Sequence, residues 1–495
     1  MNKLMITLLI SCFFVFDLSS QTIQDALRYS QLNSGGTARS IGTGGALSAF
    51  GGDFGTLSVN PAGIATYRKS SLMITPSLNV ANTGSTFAET KFDDNRTNIN
   101  LNNIGIVFSK TSDASDWKAV NFGIGTNRLT NNNQDFFYQG TTQGTIAERW
   151  QTLANGFFPD ELYDFEEGIA YDVGYIFNPD PDVPSADYLI EPDGTQFVQK
   201  EQTINREGSI NDLNLTLGGN YRHKLYIGAS VGLPFVRYEE EKNYTETDIN
   251  NVSPDFETMT FNENFLTTGV GFNAKLGIIY RMNQNLRIGA SVHTPTFFNL
   301  SEQYTTSIAA TYLESDGPQT YESSSTANPN FSYVFISPWR ATGSVGFMFG
   351  KRGFISGDIE YVDYTSSQFE LTDADGFEQD LNNDIENTLT SAVNIRVGGE
   401  ARYGSLAVRG GVGYSSSPYQ EGFGGINEGQ TNVSFGIGLR EKSVFLDLGF
   451  TRFMFNETYT AYSLTNIAGV DDIIGPTVEN NISKTQFVGT IGFRF

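Results

Sequence analysis

Few residues in this sequence could do covalent or metal chemistry. There are two histidines and one cysteine in the chain, His223, His293 and Cys12. Two histidines this far apart make no metal cluster, so neither a metal nor a cofactor is expected. A lumenal Ser–His pair would need a nucleophile and an orienting partner that the sequence does not identify, and the chain reads as non-enzymatic. His293 alone could do no more than ligate a haem axially. The run Asp373-Ala374-Asp375-Gly376 departs from the EF-hand spacing and reads as a solvated loop. What remains is a set of charged residues spaced along strands: Arg287, His293, Asp358, Glu360, Arg396 and Glu400, with Arg409 and Asp447. Arg facing lipid near mid-membrane costs about 2–4 kcal/mol, so these residues are expected in a lumen. There they either pair with one another or line a polar channel.

The elements that carry them show period-two alternation. In 285–293, Leu286, Ile288, Ala290 and Val292 oppose Arg287, Gly289, Ser291 and His293. In 353–361, Ile355, Ile359 and Tyr361 oppose Ser356, Asp358 and Glu360; in 393–400, Val393, Ile395 and Val397 oppose Asn394, Arg396 and Glu400. Such alternation puts apolar and polar sets on opposite strand faces. Fourteen strands are expected, at 71–82, 102–110, 118–128, 200–221, 225–247, 258–281, 285–312, 320–349, 353–372, 388–403, 405–416, 431–440, 443–462 and 483–495. Short links at 111–117, 222–224, 282–284, 350–352, 404 and 441–442 alternate with long or polar ones. An even strand count with alternating link lengths predicts an all-β fold, a 14-stranded antiparallel transmembrane barrel. The largest outer loop, 129–199, holds a helix-like stretch, Thr145–Asn155, and an acidic aromatic run, Phe157–Glu167, and is expected to form an ordered cap. In the last strand Phe487, Ile491, Phe493 and Phe495 oppose Val488, Thr490 and Arg494. Pairing it with the first strand would remove an exposed edge; the alternative is a core strand of a soluble sandwich.

Composition agrees with a barrel. Only 39% of the 495 residues are apolar, yet 13% are aromatic and 52 are glycine. A barrel needs one apolar side chain in two and uses aromatics as interfacial girdles. Lys3, the apolar run Leu4–Phe16 and the small residues Ser19 and Ser20 read as a signal peptide over 1–20, carrying Cys12 away with it. Leu9-Ile10-Ser11-Cys12 imitates a lipobox, but cutting there would leave a very short leader. No later stretch approaches 18 consecutive apolar residues, so no transmembrane helix is expected; a membrane form would have to be a closed barrel. The net charge of −24 argues against nucleic acid as a partner.

Residues 21–69 differ from the strands that follow over 70–495. Two short helices, 23–29 and 37–41, precede a glycine-rich segment, Gly42–Asp53, and the turn Asn60-Pro61-Ala62-Gly63. No strand precedes these glycines, so they are not a dinucleotide fingerprint. The region reads as a compact hatch, with short helices, that plugs the barrel, and Asn60, Pro61, Ala62 and Gly63 as its gating turn.

Several stretches resemble the FadL/TodX family of outer-membrane transporters. They are the glycine-rich segment ending in Asn60-Pro61-Ala62-Gly63, Leu225–Pro234, Leu286–Pro295 and Ser337-Pro338-Trp339-Arg340-Ala341. The likeness covers nearly the whole chain after the leader. It implies a hatch-plugged, fourteen-stranded barrel that takes up hydrophobic molecules such as long-chain fatty acids or aromatic hydrocarbons and releases them sideways through a gap in the wall. It also implies a basic residue that orients the ligand, for which Arg128, Arg149 and Arg340 are candidates. The third strand, 118–128, has Gly123 and Gly125 but no proline to mark a kink.

The expected function is passive uptake of a hydrophobic ligand by a monomer embedded in lipid of the Gram-negative outer membrane. A porin for polar solutes, or a structural barrel that docks partners within an envelope complex, stays open as an alternative.

Overall fold

The computed structural model describes residues 22–32, 35–180, 183, 187–253, 255–326, 331–371, 375–420, 429–465 and 471–495. The leader expected over 1–20 and the loop residues Asp373 and Ala374 lie outside them.

The wall strands are β1 (Ser71–Phe87), β2 (Thr90–Thr111), β3 (Trp117–Arg128), β4 (Gln134–Gln143), β5 (Phe197–Tyr221), β6 (Leu225–Thr247), β7 (Phe256–Arg281), β8 (Leu286–His293) and β9 (Phe297–Glu314). They continue as β10 (Gly317–Thr326), β11 (Phe331–Ile336), β12 (Arg340–Met348), β13 (Gly353–Asp363), β14 (Gln368–Glu370), β15 (Ser391–Tyr403), β16 (Leu406–Ser415), β17 (Gln430–Arg440), β18 (Val444–Thr460) and β19 (Thr477–Arg494). Neighbours pair antiparallel around a closed, 14-stranded barrel. The ladder from Ser71↔Arg494 to Thr86↔Glu479 joins β1 to β19 and seals the cylinder.

Four wall positions are built from more than one strand, that of β10, β11 and β12 from three. Pro295 interrupts the expected 285–312 strand between β8 and β9, and Pro338 lies between β11 and β12 in the expected 320–349 strand, because proline has no N–H for a ladder. A 3-10 turn, Tyr364–Ser366, parts β13 from β14. The fourth break, between β3 and β4, has no proline. Gly376 begins no loop: Asp375–Thr388 is a helix (α5) whose Leu381 and Ile385 face the interior.

The faces are inverted relative to a soluble protein. On β1, Leu72, Ile74 and Leu78 are about 40% exposed while Met73, Thr75 and Ser77 between them are buried. Phe487, Ile491 and Phe493 continue the belt on β19. Apolar side chains outside and asparagine, serine and threonine inside are the pattern of a wall that faces hydrocarbon. An apolar surface encircling the molecule far exceeds the patch that water tolerates.

The N-terminal segment lies inside the wall. It comprises α1 (Ile23–Ser30), α2 (Ala38–Gly42) and 3-10 turns at Phe54–Ser58 and Pro61–Thr66. Thr22 caps α1 in a reciprocal box with Asp25, and the Thr37 side chain accepts from Ser40 N–H to start α2. At the other rim a cap over 144–196 contains α3 (Ala147–Ala154) and α4 (Glu167–Asp172). Trp150, Tyr175 and Tyr188 pack there on Phe256, Met259 and Phe261 of β7.

Candidate functional site

The β3–β4 break opens the wall. Over Asn103–Thr111, β2 pairs with β3. Over Thr90–Leu101 it pairs with β1 alone, since β4 pairs only with β5. The inward-phase side chains of β2 meet the outward-phase side chains of β4. Arg96 Nη1 lies 2.6 Å from Asp135 Oδ1, and the Phe92 and Phe137 rings stand edge to face at 5.2 Å. The two strands thus overlap as layers instead of joining edge to edge. Pro76 donates no hydrogen bond, and opposite it the register slips at Asn102, a bulge that turns the Asn102 side chain inward.

Between the last ladder pair, Asn103↔Asn127, and the Arg96 contact lies a slot. It leads to a small cavity, about 50 Å³, lined by amides such as Asn98, Asn131 and Gln486 and by Leu129 and Phe453. Gly35 crosses its inner mouth so closely that a Cβ there would lie 1.8 Å from the Arg128 carbonyl. Asn102 Nδ2 donates to the Gly36 carbonyl at 2.6 Å. Two cations line this cavity, Arg128 and Lys484. The Arg128 Nε is buried with no hydrogen-bond partner among the described residues. Among the described residues Lys484 Nζ reaches the Asn131 carbonyl at 3.4 Å and the Phe455 ring at 5.8 Å. Several other lumenal cations are paired: Arg39 with Glu400, Arg206 with Glu240 and Glu457, Lys275 with Asp212, and Arg409 with Glu400 and Asp447.

A second small cavity, about 30 Å³, shares Leu129 with the first and is lined by Tyr29, Lys275, His293, Phe298 and Arg340. Above it Leu27 and Tyr29 of α1 pack on Phe298, Phe335, Phe369 and Ile385. Arg340 donates to the Ser30 carbonyl and pairs with Glu360 at 3.3 Å. The second oxygen of Glu360 meets Arg396 at 3.1 Å. The His293 Nε2–H donates to the Val59 carbonyl at 2.8 Å.

The turn at Asn60 is seated against bare wall. Asn60 Nδ2 donates to the carbonyls of Ser48 (3.2 Å) and Ile278 (3.3 Å), and its Oδ1 accepts from Ala62 N–H. A Cβ at Gly277 would lie 2.0 Å from Asn60 Oδ1, and one at Gly228 would lie 2.3 Å from the Pro61 carbonyl. Gly63 packs on Gly51. Asp358 Oδ2 accepts from Ser48 N–H at 3.3 Å, and Arg287 stacks over the Phe50 and Tyr226 rings. Glu400 gathers Arg39, Arg402 and Arg409.

Of the residues singled out in the sequence, Arg128 and Arg340 thus line adjoining cavities. Arg149 sits instead in the cap on α3, paired with Glu166 and donating to the Ser463 carbonyl at 3.1 Å. Arg96, Asp135 and Lys484 were not singled out. Lys484 shares its strand phase with Gln486 and Thr490, which marks it as inward.

No protein-family model matches the chain, and no curated protein matches it in sequence. Among solved structures, a Pseudomonas aeruginosa FadL homologue matches with a TM-score of 0.56 at 12% identity, over 94% of this chain and 100% of that one. The Pseudomonas putida toluene transporter TodX matches with a TM-score of 0.53 at 14% identity, over 94% and 99%. At such identities the likeness is one of fold. The chain has the FadL/TodX fold, a fourteen-stranded barrel with its N-terminal segment inside the wall.

Proposed function

We propose that the protein is an outer-membrane channel for passive uptake of hydrophobic small molecules, discharging them sideways through the β2–β4 slot. The observation that carries this is a polar-rimmed gap in a wall whose outer face is otherwise an apolar belt. A hydrophobic solute leaving there enters lipid without crossing water. Two solved relatives in fold, named as a FadL homologue and a toluene transporter, support the reading. The N-terminal segment filling the lumen counts against a water-filled pore for polar solutes. The route runs from the apolar cluster around α1, through the cavity beside Arg340, to the slot. In it Arg128 and Lys484 receive the polar end of any ligand that has one, and the Asn60–Gly63 turn holds the segment whose shift widens the path.

The test is uptake into vesicles. In a Cys12→Ser background, Asn98→Cys and Asn131→Cys are bridged across the slot with a cleavable bis-maleimide. Bridging is expected to stop toluene uptake and cleavage to restore it; uptake that persists through the bridge removes the lateral route. In the same vesicles, Arg128→Gln with Lys484→Gln lowers uptake of a long-chain carboxylate and spares toluene. An equal loss for both would assign these cations to structure alone.

A further inference from the structure

The slot has two ends of different kinds. Its lower end is backbone, the ladder that begins at Asn103↔Asn127. Its upper end has no ladder and is closed by β2 side chains meeting β4, among them the Asp94 carboxylate at the Phe137 N–H. Arg96 reaches from β2 to Asp135 on β4 at 2.6 Å and to Glu207 on β5. The Phe92–Phe137 contact lies beyond it, toward the hairpin tip. The Arg96 and Asp135 side chains are 22% and 26% exposed, whereas Glu207 is 56% exposed, so the Asp135 contact is the less screened of the two.

From this we infer that Arg96, clasping Asp135 and Glu207, fixes the upper limit of the slot and sets the largest molecule that can leave through it. Arg96 is then a specificity-determining residue. The inference rests on the lateral route proposed above. Strands rise about 3.4 Å per residue, so the unladdered edge of β2 between Asn103 and Arg96 is about 24 Å long. Beyond the clasp the unladdered edge runs on to Thr90, about 44 Å from Asn103. Along that added length no ladder joins β2 to β4, only the Phe92–Phe137 ring contact and the Asp94 carboxylate at the Phe137 N–H. Partly exposed ion pairs are weak singly and weaken with salt, which suits a limit that yields under load but is closed at rest.

Two readouts test this in a folded barrel verified by its gel mobility before and after heating. The first is the ratio of pyrene uptake to toluene uptake in vesicles. Arg96→Ala is expected to raise it about fivefold, the population change that loss of a partly exposed pair commands. Arg96→Lys falls between Arg96→Ala and the native protein. Salt at about 1 M raises the native ratio toward that of Arg96→Ala and leaves the variant unmoved. Asp135→Asn with Glu207→Gln reproduces Arg96→Ala from the other side of the clasp. The second readout needs no transport. Spin labels on Asp93→Cys and Gln139→Cys report the spacing of the two layers, and Arg96→Ala must broaden that distribution toward longer distances. An unchanged distance distribution, or an unchanged ratio, overturns the clasp. Toluene uptake that survives bridging of the slot overturns the lateral route instead, with the spin-label result still deciding whether Arg96 holds the layers.

Discussion

Glu167 holds a carboxyl inside the cap where water hardly reaches it. One oxygen accepts from Tyr163 N–H at 3.0 Å, and the other has no hydrogen-bond partner among the described residues. Burial pushes this carboxyl above its ordinary value of 4.5, and the neighbouring N–H groups and Arg149 oppose the rise only in part. A carboxyl raised in this way binds its proton more tightly folded than unfolded. Its contribution is therefore full below pH 4.5 and is lost as pH rises through the folded value. Amide exchange of 163–172, corrected for intrinsic rates, should accordingly show a cap better protected under mild acid. Glu167→Gln should remove that dependence; an identical pH slope in both proteins would disprove it. None of this was legible in the acidic run Phe157–Glu167, because burial of one carboxylate among several is decided by packing. The inward phase of Arg287, His293, Asp358, Glu360, Arg396 and Glu400 was legible, since alternation alone separates the two faces of a strand. Their partners were not, because pairing across a lumen depends on which strands face each other.

At the scale of elements, β4 shows where alternation fails as a guide. Its sequence Gln134-Asp135-Phe136-Phe137-Tyr138-Gln139 puts aromatic residues in both phases. The structure supplies the reason: Phe136 faces Tyr459 across the lumen at 5.2 Å while Phe137 faces Phe92 of β2. A strand packed on both faces has no solvated side to mark. Helix α5 was readable in principle from Phe377, Leu381 and Ile385, four residues apart, but the acidic run Asp373–Gly376 at its start read as loop. The Asn60 turn was legible as a motif; its seat, backbone against glycine, was not. Asn60→Ala removes the bonds to Ser48 and Ile278 and takes the Asn60 amide donor from the buried Ser48 carbonyl, a cost of about 1–3 kcal/mol. Gly277→Val places a side chain where Asn60 now sits. Both variants should raise amide exchange across 54–66 while the barrel keeps its heat-modifiable mobility. Unchanged exchange would mean that the turn is held by other contacts.

The outer face of the whole molecule is an apolar belt of the kind that faces hydrocarbon. Leu448 is 63% exposed and faces outward beside Ile437. Leu448→Arg should cost about 2–4 kcal/mol if it lies at mid-membrane, read as poorer refolding into lipid vesicles. Refolding at native yield would place that face outside the lipid. Closure and strand count were present in the sequence, because they follow from local alternation repeated along the chain; link lengths were not, since polar 83–101, expected as a link, forms strand up to a two-residue turn between Phe87 and Thr90, and the expected loop 129–199 holds the wall strand Gln134–Gln143. The overlap of β2 on β4 was not, because it is a relation between segments that pair with other partners. Under the Asn60 turn the wall presents Gly228 and Gly277 directly to the Pro61 carbonyl and the Asn60 amide, flanked by Tyr226 and Ile279 against Ala62 and Ala65. Were the plug to retreat, the corridor it vacates would be floored by bare peptide between those two side chains. A lipophilic traveller would find little to cling to on that strip, and the lingering would happen upstream, among the denser aromatics.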